Sequence, residues 1–190
     1  MIMWYHSKVM FLGTHYEKKN QGVKMSQKNS FTSDTNFLVR SAVVAALYAV
    51  LTLVVPMPQY GPIQFRFSEI LVLLAFYNRK YIPGLVLGCA IANLFSPMAW
   101  FDVIFGTLSS YIAFRLMQKT DNLFIASLFP VLLVSVPALG TYFLLDSSGA
   151  FITMLFSFMA SEFVMVSIIG VIIFKILENN KAFMRKLIEF

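Results

Sequence analysis

Six apolar runs follow one another along the chain, at approximately 37–55, 63–77, 81–95, 99–117, 123–145 and 151–176. A helix of about 20 apolar residues crosses a hydrocarbon core because it satisfies all its backbone hydrogen bonds within the segment. Runs this numerous leave too little polar sequence to clothe a soluble domain. Of the 190 residues, 58% are hydrophobic and only 13% charged, outside the usual soluble range. The expected fold is an all-α membrane protein with six transmembrane helices in one domain. The second and third runs are short for a span, and "YGPIQFRF" ahead of the second is a candidate for irregular backbone lining a cavity.

The positive charges set an orientation. Lys8, Lys18, Lys19, Lys24, Lys28 and Arg40 precede or open the first run, and Arg79 and Lys80 follow the second. Arg115 and Lys119 follow the fourth, while Lys175, Lys181, Arg185 and Lys186 close the sixth. With six spans, fourteen of the fifteen Lys and Arg residues fall on one side and only Arg66 on the other. Removing any one span scrambles that separation, so the positive-inside rule supports the count and places both termini in the cytoplasm. The net charge of +6 is therefore explained by topology rather than by nucleic-acid binding, because the cations sit at the ends of apolar runs and not on one polar face.

Residues 1–36 are polar and lack the apolar core of a signal peptide, so they read as a flexible cytoplasmic tail. Met25 opens "MSQKNSFTSDTNFLVR", which resembles a natural start, and residues 1–24 read equally as an upstream extension or as part of the tail. Residues 37–177 form the expected six-helix membrane domain and 178–190 a cytoplasmic C-terminal tail.

A carboxyl group interrupts the last apolar run: "FMASEFVMVSIIG" at 158–170 carries Glu162. Eleven residues after Phe151, it lies roughly 16 Å into a core about 30 Å thick. An ionisable side chain there costs about 2.5–3.5 kcal/mol even on insertion scales, and normally faces a bundle interior or a water-filled cavity. The alternative is a protonated carboxyl hydrogen-bonded to a neighbouring helix for packing. Glu69, Asp102 and Asn93 fall near the outer ends of the second, fourth and third spans, where Glu69 and Asp102 also suit helix caps. Aromatic faces surround them: Tyr60, Phe65, Phe67, Phe95, Trp100 and Phe101 lie near the outer surface, mostly as belt or lipid-facing residues, with a few available to stack on a planar ligand. Arg66 reads as an outer-rim charge paired with Glu69 rather than as a ligand contact.

Several chemistries lack their residues. His6 and His15 both lie in the tail, so no intramembrane histidine can serve a metal hydrolase or a Ser-His pair. The sequence contains no GxxxxGK[ST], so ATP is not bound through a P-loop. The single Cys89 permits neither an internal disulfide nor a thiol cluster and reads as a small packing residue. The chain is expected to be no enzyme and to hold neither metal nor cofactor.

Small residues form stripes that let helices approach closely in lipid. The first run holds Ala42 and Ala46, with Ala45 and Ala49 one position round. The third holds Gly84, Gly88 and Ala92 at the same spacing.

Three stretches then carry a resemblance. "QYGPIQFRFSEILVLLAFY" at 59–77, "YIPGLVLGCAIANLFSP" at 81–97 and "FDVIFGTLSSYIAF" at 101–114 resemble the substrate-binding S components of energy-coupling factor vitamin transporters, and among them the QueT family for queuosine precursors. The resemblance spans about residues 38–177. It implies a six-helix bundle that captures a small molecule from outside and depends on a transmembrane coupling protein and two cytoplasmic ATPases for energy, so that ATP is consumed by partners. It also implies that an AxxxA pattern on the first helix contacts the coupling protein. Ala42 and Ala46 match it, and Ala45 and Ala49 match equally in spacing.

The ligand implied is a 7-deazaguanine such as 7-aminomethyl-7-deazaguanine. Its N1–H and exocyclic amine offer two donors that one carboxylate accepts together, and its aminomethyl cation favours a second carboxylate. Glu162 or Glu69 is expected at the guanine edge, with Asp102 as a further cation partner, Asn93 or Gln64 as donor to the carbonyl, and Tyr60 among the aromatic contacts. Three alternatives remain: an S component for another vitamin, a stand-alone proton-coupled transporter using Glu162, and a structural subunit whose carboxyls serve packing.

Overall fold

The computed structural model describes residues 35–54, 65–96, 98–139 and 151–188, and among these the regular structure is entirely helical. Helix α1 is Thr35–Leu53. Helix α2, Phe67–Tyr77, begins as a 3₁₀ helix over Phe67–Leu73 and relaxes to an α-turn at Leu74–Tyr77. Helix α3 is Ile82–Asn93, with Pro83 in its first turn, where a missing N–H costs nothing. Helix α4 covers residues 99–117 in three stretches: Ala99–Phe101, a π-helical Asp102–Gly106 and an α-helical Thr107–Met117. Helix α5, Leu123–Leu139, starts at an Asn122 side chain that accepts from Phe124 N at 2.9 Å and Ile125 N at 3.2 Å. Helix α6 runs through Phe151–Glu162, a π-helical Phe163–Gly170 and Val171–Glu178. The chain then turns into α7, Lys181–Ile188.

The described part of each of the six apolar runs is thus largely helical. Thr35–Leu53 and Leu155–Glu178 are individually long and apolar enough to cross a membrane, whereas Phe67–Tyr77 and Leu123–Leu139 are shorter. The 3₁₀ opening of α2 bears on its shortness, because a 3₁₀ helix rises about 2.0 Å per residue against 1.5 Å in an α-helix.

The helices close into a ring. Helix α3 packs on α4, α4 on α5, α5 on α6, and α6 on the 3₁₀ part of α2. Helix α1 meets α3 through glycine: a Cβ on Gly84 would lie 2.6 Å from Ser41 O, and one on Gly88 would lie 2.8 Å from Ala45 O. Lipid offers little hydrophobic drive between helices, so such close backbone approach supplies the packing. Two hydrogen bonds join α1 to α2, from Tyr48 to Glu69 at 2.6 Å and from Thr52 Oγ1 to Ser68 Oγ at 2.6 Å. A hydroxyl pair, Ser127 Oγ to Ser167 Oγ at 2.9 Å, pins α5 to α6. Tyr48, Leu73, Leu85, Phe114, Met117 and Val166 form the centre of the apolar core.

Residues 178–190, expected as a C-terminal tail, include a helix. Leu187 of α7 is buried in the core cluster. Its last turn is held by Asn78 Nδ2, which donates to Ile188 O at 2.8 Å, and by Tyr81 Oη, which donates to Leu187 O at 3.1 Å. Helix α7 therefore covers the end of the bundle that carries Arg79 and Lys80. Of residues 1–36, read from sequence as a tail with a natural start at Met25, residues 1–34 lie outside the described residues, and Thr35 and Asn36 belong to α1.

Candidate functional site

Helices α2 to α6 line a cavity of about 80 Å³. Its polar lining comes from four of them, with Arg66 and Glu69 at the start of α2, Cys89 and Asn93 on α3, Asp102, Ser109 and Ser110 on α4, and Glu162 on α6, while α5 contributes the apolar Pro130, Leu133, Val134 and Pro137. Phe114 and Phe158 complete the wall with aromatic rings.

The 3₁₀ turn sets Glu69 inward, nearly fully buried, with Tyr48 Oη donating to its Oε1 at 2.6 Å. Three residues earlier Arg66 donates from Nη1 to Asn93 Oδ1 at 3.4 Å. Asn93 in turn donates to Asp102 O at 3.0 Å, which ties the end of α3 to the start of α4, and stands 3.5 Å from Cys89 Sγ. The Asp102 carboxylate accepts from the Ser96 hydroxyl. Glu162 differs from the other two carboxylates: it reaches the cavity but receives no hydrogen bond from a described residue.

Both π-helical stretches border this cavity. Asp102 opens the first, and Glu162 immediately precedes the second. A π-turn accommodates an extra residue in helical register and is frequent at functional sites. On α5, Pro130 and Pro137 lack the N–H groups that would otherwise engage the carbonyls of Ala126 and Leu133. Irregular helix therefore lines the cavity on several sides, as backbone within a membrane requires when it is not fully hydrogen-bonded.

Of the residues singled out from sequence, Glu162, Glu69, Asp102 and Asn93 all meet at this cavity. Gln64 and Tyr60 lie outside the described residues. Arg66 is half-buried on the cavity wall rather than on an exposed rim, because Asn93 draws its guanidinium inward. Phe95 and Trp100 are 63% and 82% exposed and do not line the cavity. Sequence reasoning missed Tyr48, Phe114 and Phe158, and gave Cys89 only a packing role. The two alanine registers differ in exposure: Ala45 and Ala49 are buried in the bundle, whereas Ala42 and Ala46 are exposed.

An apolar helical bundle closed around a polar, carboxylate-bearing cavity defines a class: membrane proteins that hold a small polar molecule between their helices. Within that class this chain belongs to the QueT transporter family, whose family model matches residues 38–179. It is similar to the queuosine precursor transporter QueT of Lactococcus lactis subsp. cremoris (strain MG1363), with 48% identity over 82 residues, a stretch covering 42% of this chain and 48% of that protein. The matched stretch thus spans about half the length of that relative. No solved structure matches.

Proposed function

We propose that this chain is the membrane-embedded substrate-binding subunit of an energy-coupling factor importer, which captures a queuosine precursor of the 7-deazaguanine type from outside the cell. The observation that carries the reading is the convergence of Glu69, Asp102, Glu162, Arg66 and Asn93 on one cavity with two phenylalanines. A deazaguanine presents paired N–H donors, a carbonyl and flat faces, and this lining offers carboxylate acceptors, cationic and amide donors and aromatic surface to match. An analogue lacking the exocyclic amine would leave a desolvated carboxylate unpaired, which gives the site its selectivity. The relative named above is described as a queuosine precursor transporter, which supports the same ligand class.

Helices α1 to α6 are read as six spans with cytoplasmic termini. Arg79, Lys80 and the basic residues of α7 share one end of the bundle, as the positive-inside rule asks of a cytoplasmic face. Without a P-loop in its sequence, the chain takes its energy from a coupling protein and two ATPases. The exposed Ala42 and Ala46 form the face for that coupling protein.

Calorimetric titration of the detergent-purified chain with 7-aminomethyl-7-deazaguanine, 7-cyano-7-deazaguanine, queuine, guanine, riboflavin and thiamine tests the ligand. Binding of a deazaguanine that is lost in Glu162→Gln supports the reading, and binding of riboflavin or thiamine alone rejects it. Uptake in cells lacking the ATPase module, abolished by a protonophore, would assign a proton-coupled transporter instead.

A further inference from the structure

Tyr48 belongs to α1, which does not line the cavity, yet its hydroxyl reaches a cavity carboxylate. It is 1% exposed, and its Oη donates to Glu69 Oε1 at 2.6 Å. One turn later Thr52 Oγ1 bonds the Ser68 hydroxyl, so consecutive residues of α2 are fastened to successive turns of α1. The base of the side chain is tightly packed, since a Cβ on Gly88 would stand 2.7 Å from the Tyr48 Cβ. One oxygen of Glu69 is thereby committed to the protein. Glu162, by contrast, keeps both oxygens free of described donors.

The two glutamates therefore differ in what they can accept. A carboxylate with both oxygens available receives two parallel N–H donors, whereas one with a single oxygen available suits a compact cation. Resting on the deazaguanine reading above, we infer that Tyr48 is a positioning residue for ligand selection: it fixes Glu69 as the one-oxygen partner of the ligand's aminomethyl cation and leaves the paired donors of the ring edge to Glu162. Without the phenol no other described hydrogen bond holds the Glu69 carboxylate, so neither of its oxygens is fixed, and the ligand cation meets a carboxylate that can shift on a cavity wall shared with the Arg66 guanidinium.

The test is calorimetric titration of the full chain in detergent with 7-aminomethyl-7-deazaguanine, which carries the cation, and 7-cyano-7-deazaguanine, which does not. Tyr48→Phe is expected to weaken the aminomethyl ligand about tenfold and the cyano ligand less than about twofold, the loss appropriate to one charge-assisted contact. Glu162→Gln should weaken both ligands in the same proportion. Equal losses of both ligands in Tyr48→Phe would mean a merely structural tyrosine, and unchanged affinities would mean none of this role; either overturns the inference. If Tyr48→Phe does not fold, Glu69→Gln with Tyr48 in place must show the same cation-selective loss, and equal losses there overturn it too. Wild-type protein that binds neither compound defeats the ligand reading itself, a failure visible before any variant is compared.

Discussion

The Cβ that Gly88 lacks would stand 2.7 Å from the Cβ of Tyr48, closer than side chains approach one another. Glycine at 88 is what lets α3 lie against α1 at the level of the residue that holds Glu69. Gly88→Ala should therefore push the helices apart and lower stability by about 1–3 kcal/mol, as overpacking does. Gly84→Ala faces the Ser41 carbonyl at 2.6 Å, a backbone atom that cannot rotate away, and should do the same. Thermal unfolding of the purified variants in detergent measures both. A melting temperature equal to wild type in both would mean that the helices have room to spare.

Glu162→Gln should separate stability from binding. Its carboxylate has no hydrogen bond to a described residue, so neutralising it removes a desolvation cost without breaking a contact. The ligand-free variant should melt no lower than wild type. Its deazaguanine affinity should fall about 10- to 100-fold, the loss of a charged hydrogen-bonding partner. A lower melting temperature with unchanged affinity would assign Glu162 to packing.

Tryptophan placed at adjacent alanines of α1 should have opposite effects. Ala45 is 3% exposed and faces the Gly88 backbone, so Ala45→Trp should prevent the bundle from assembling. Ala46 is exposed, so Ala46→Trp should fold and bind ligand as wild type does, while abolishing uptake and co-purification with a coupling protein. Normal uptake by both Ala42→Trp and Ala46→Trp would remove this face from the transport cycle.

Leu187→Ala should loosen α7 alone. The side chain is 6% exposed, and the helix is otherwise held through its last carbonyls. A cost of about 2 kcal/mol, at the low end for a leucine truncation, is large for an element of eight residues. Faster tryptic cleavage at Lys181, Arg185 and Lys186, with ligand affinity unchanged, is the expected result. Cleavage at the wild-type rate would mean that the Asn78 and Tyr81 contacts suffice.

The helical segments were legible because apolar length is a strong signal, and the cavity carboxylates were legible because charge is conspicuous in such runs. Other features left weaker traces. Spacing does not say which alanine pair is buried, since both repeat every four residues, and the contact of Ala45 with Gly88 shows it. Tyr48 sits in an apolar run like any belt tyrosine, and its partner is 21 residues away. Arg66 turns inward because Asn93, on another helix, accepts from it. Helix α7 is amphipathic, with Phe183 and Met184 one turn before Leu187 and Ile188, but its eight residues make a pattern too short to separate from a polar tail.

The π-helical stretches at Asp102–Gly106 and Phe163–Gly170 make the cavity sensitive to chain length in a way that no substitution reproduces. Each residue of an α-helix turns the chain by about 100°. Deleting a single codon within 103–106 would let α4 regularise and swing Asp102 away from Asn93, while leaving every cavity side chain chemically intact. Single-residue deletions and insertions in α4 and α6 should therefore re-aim whole segments of the cavity wall at once, which a substitution cannot do.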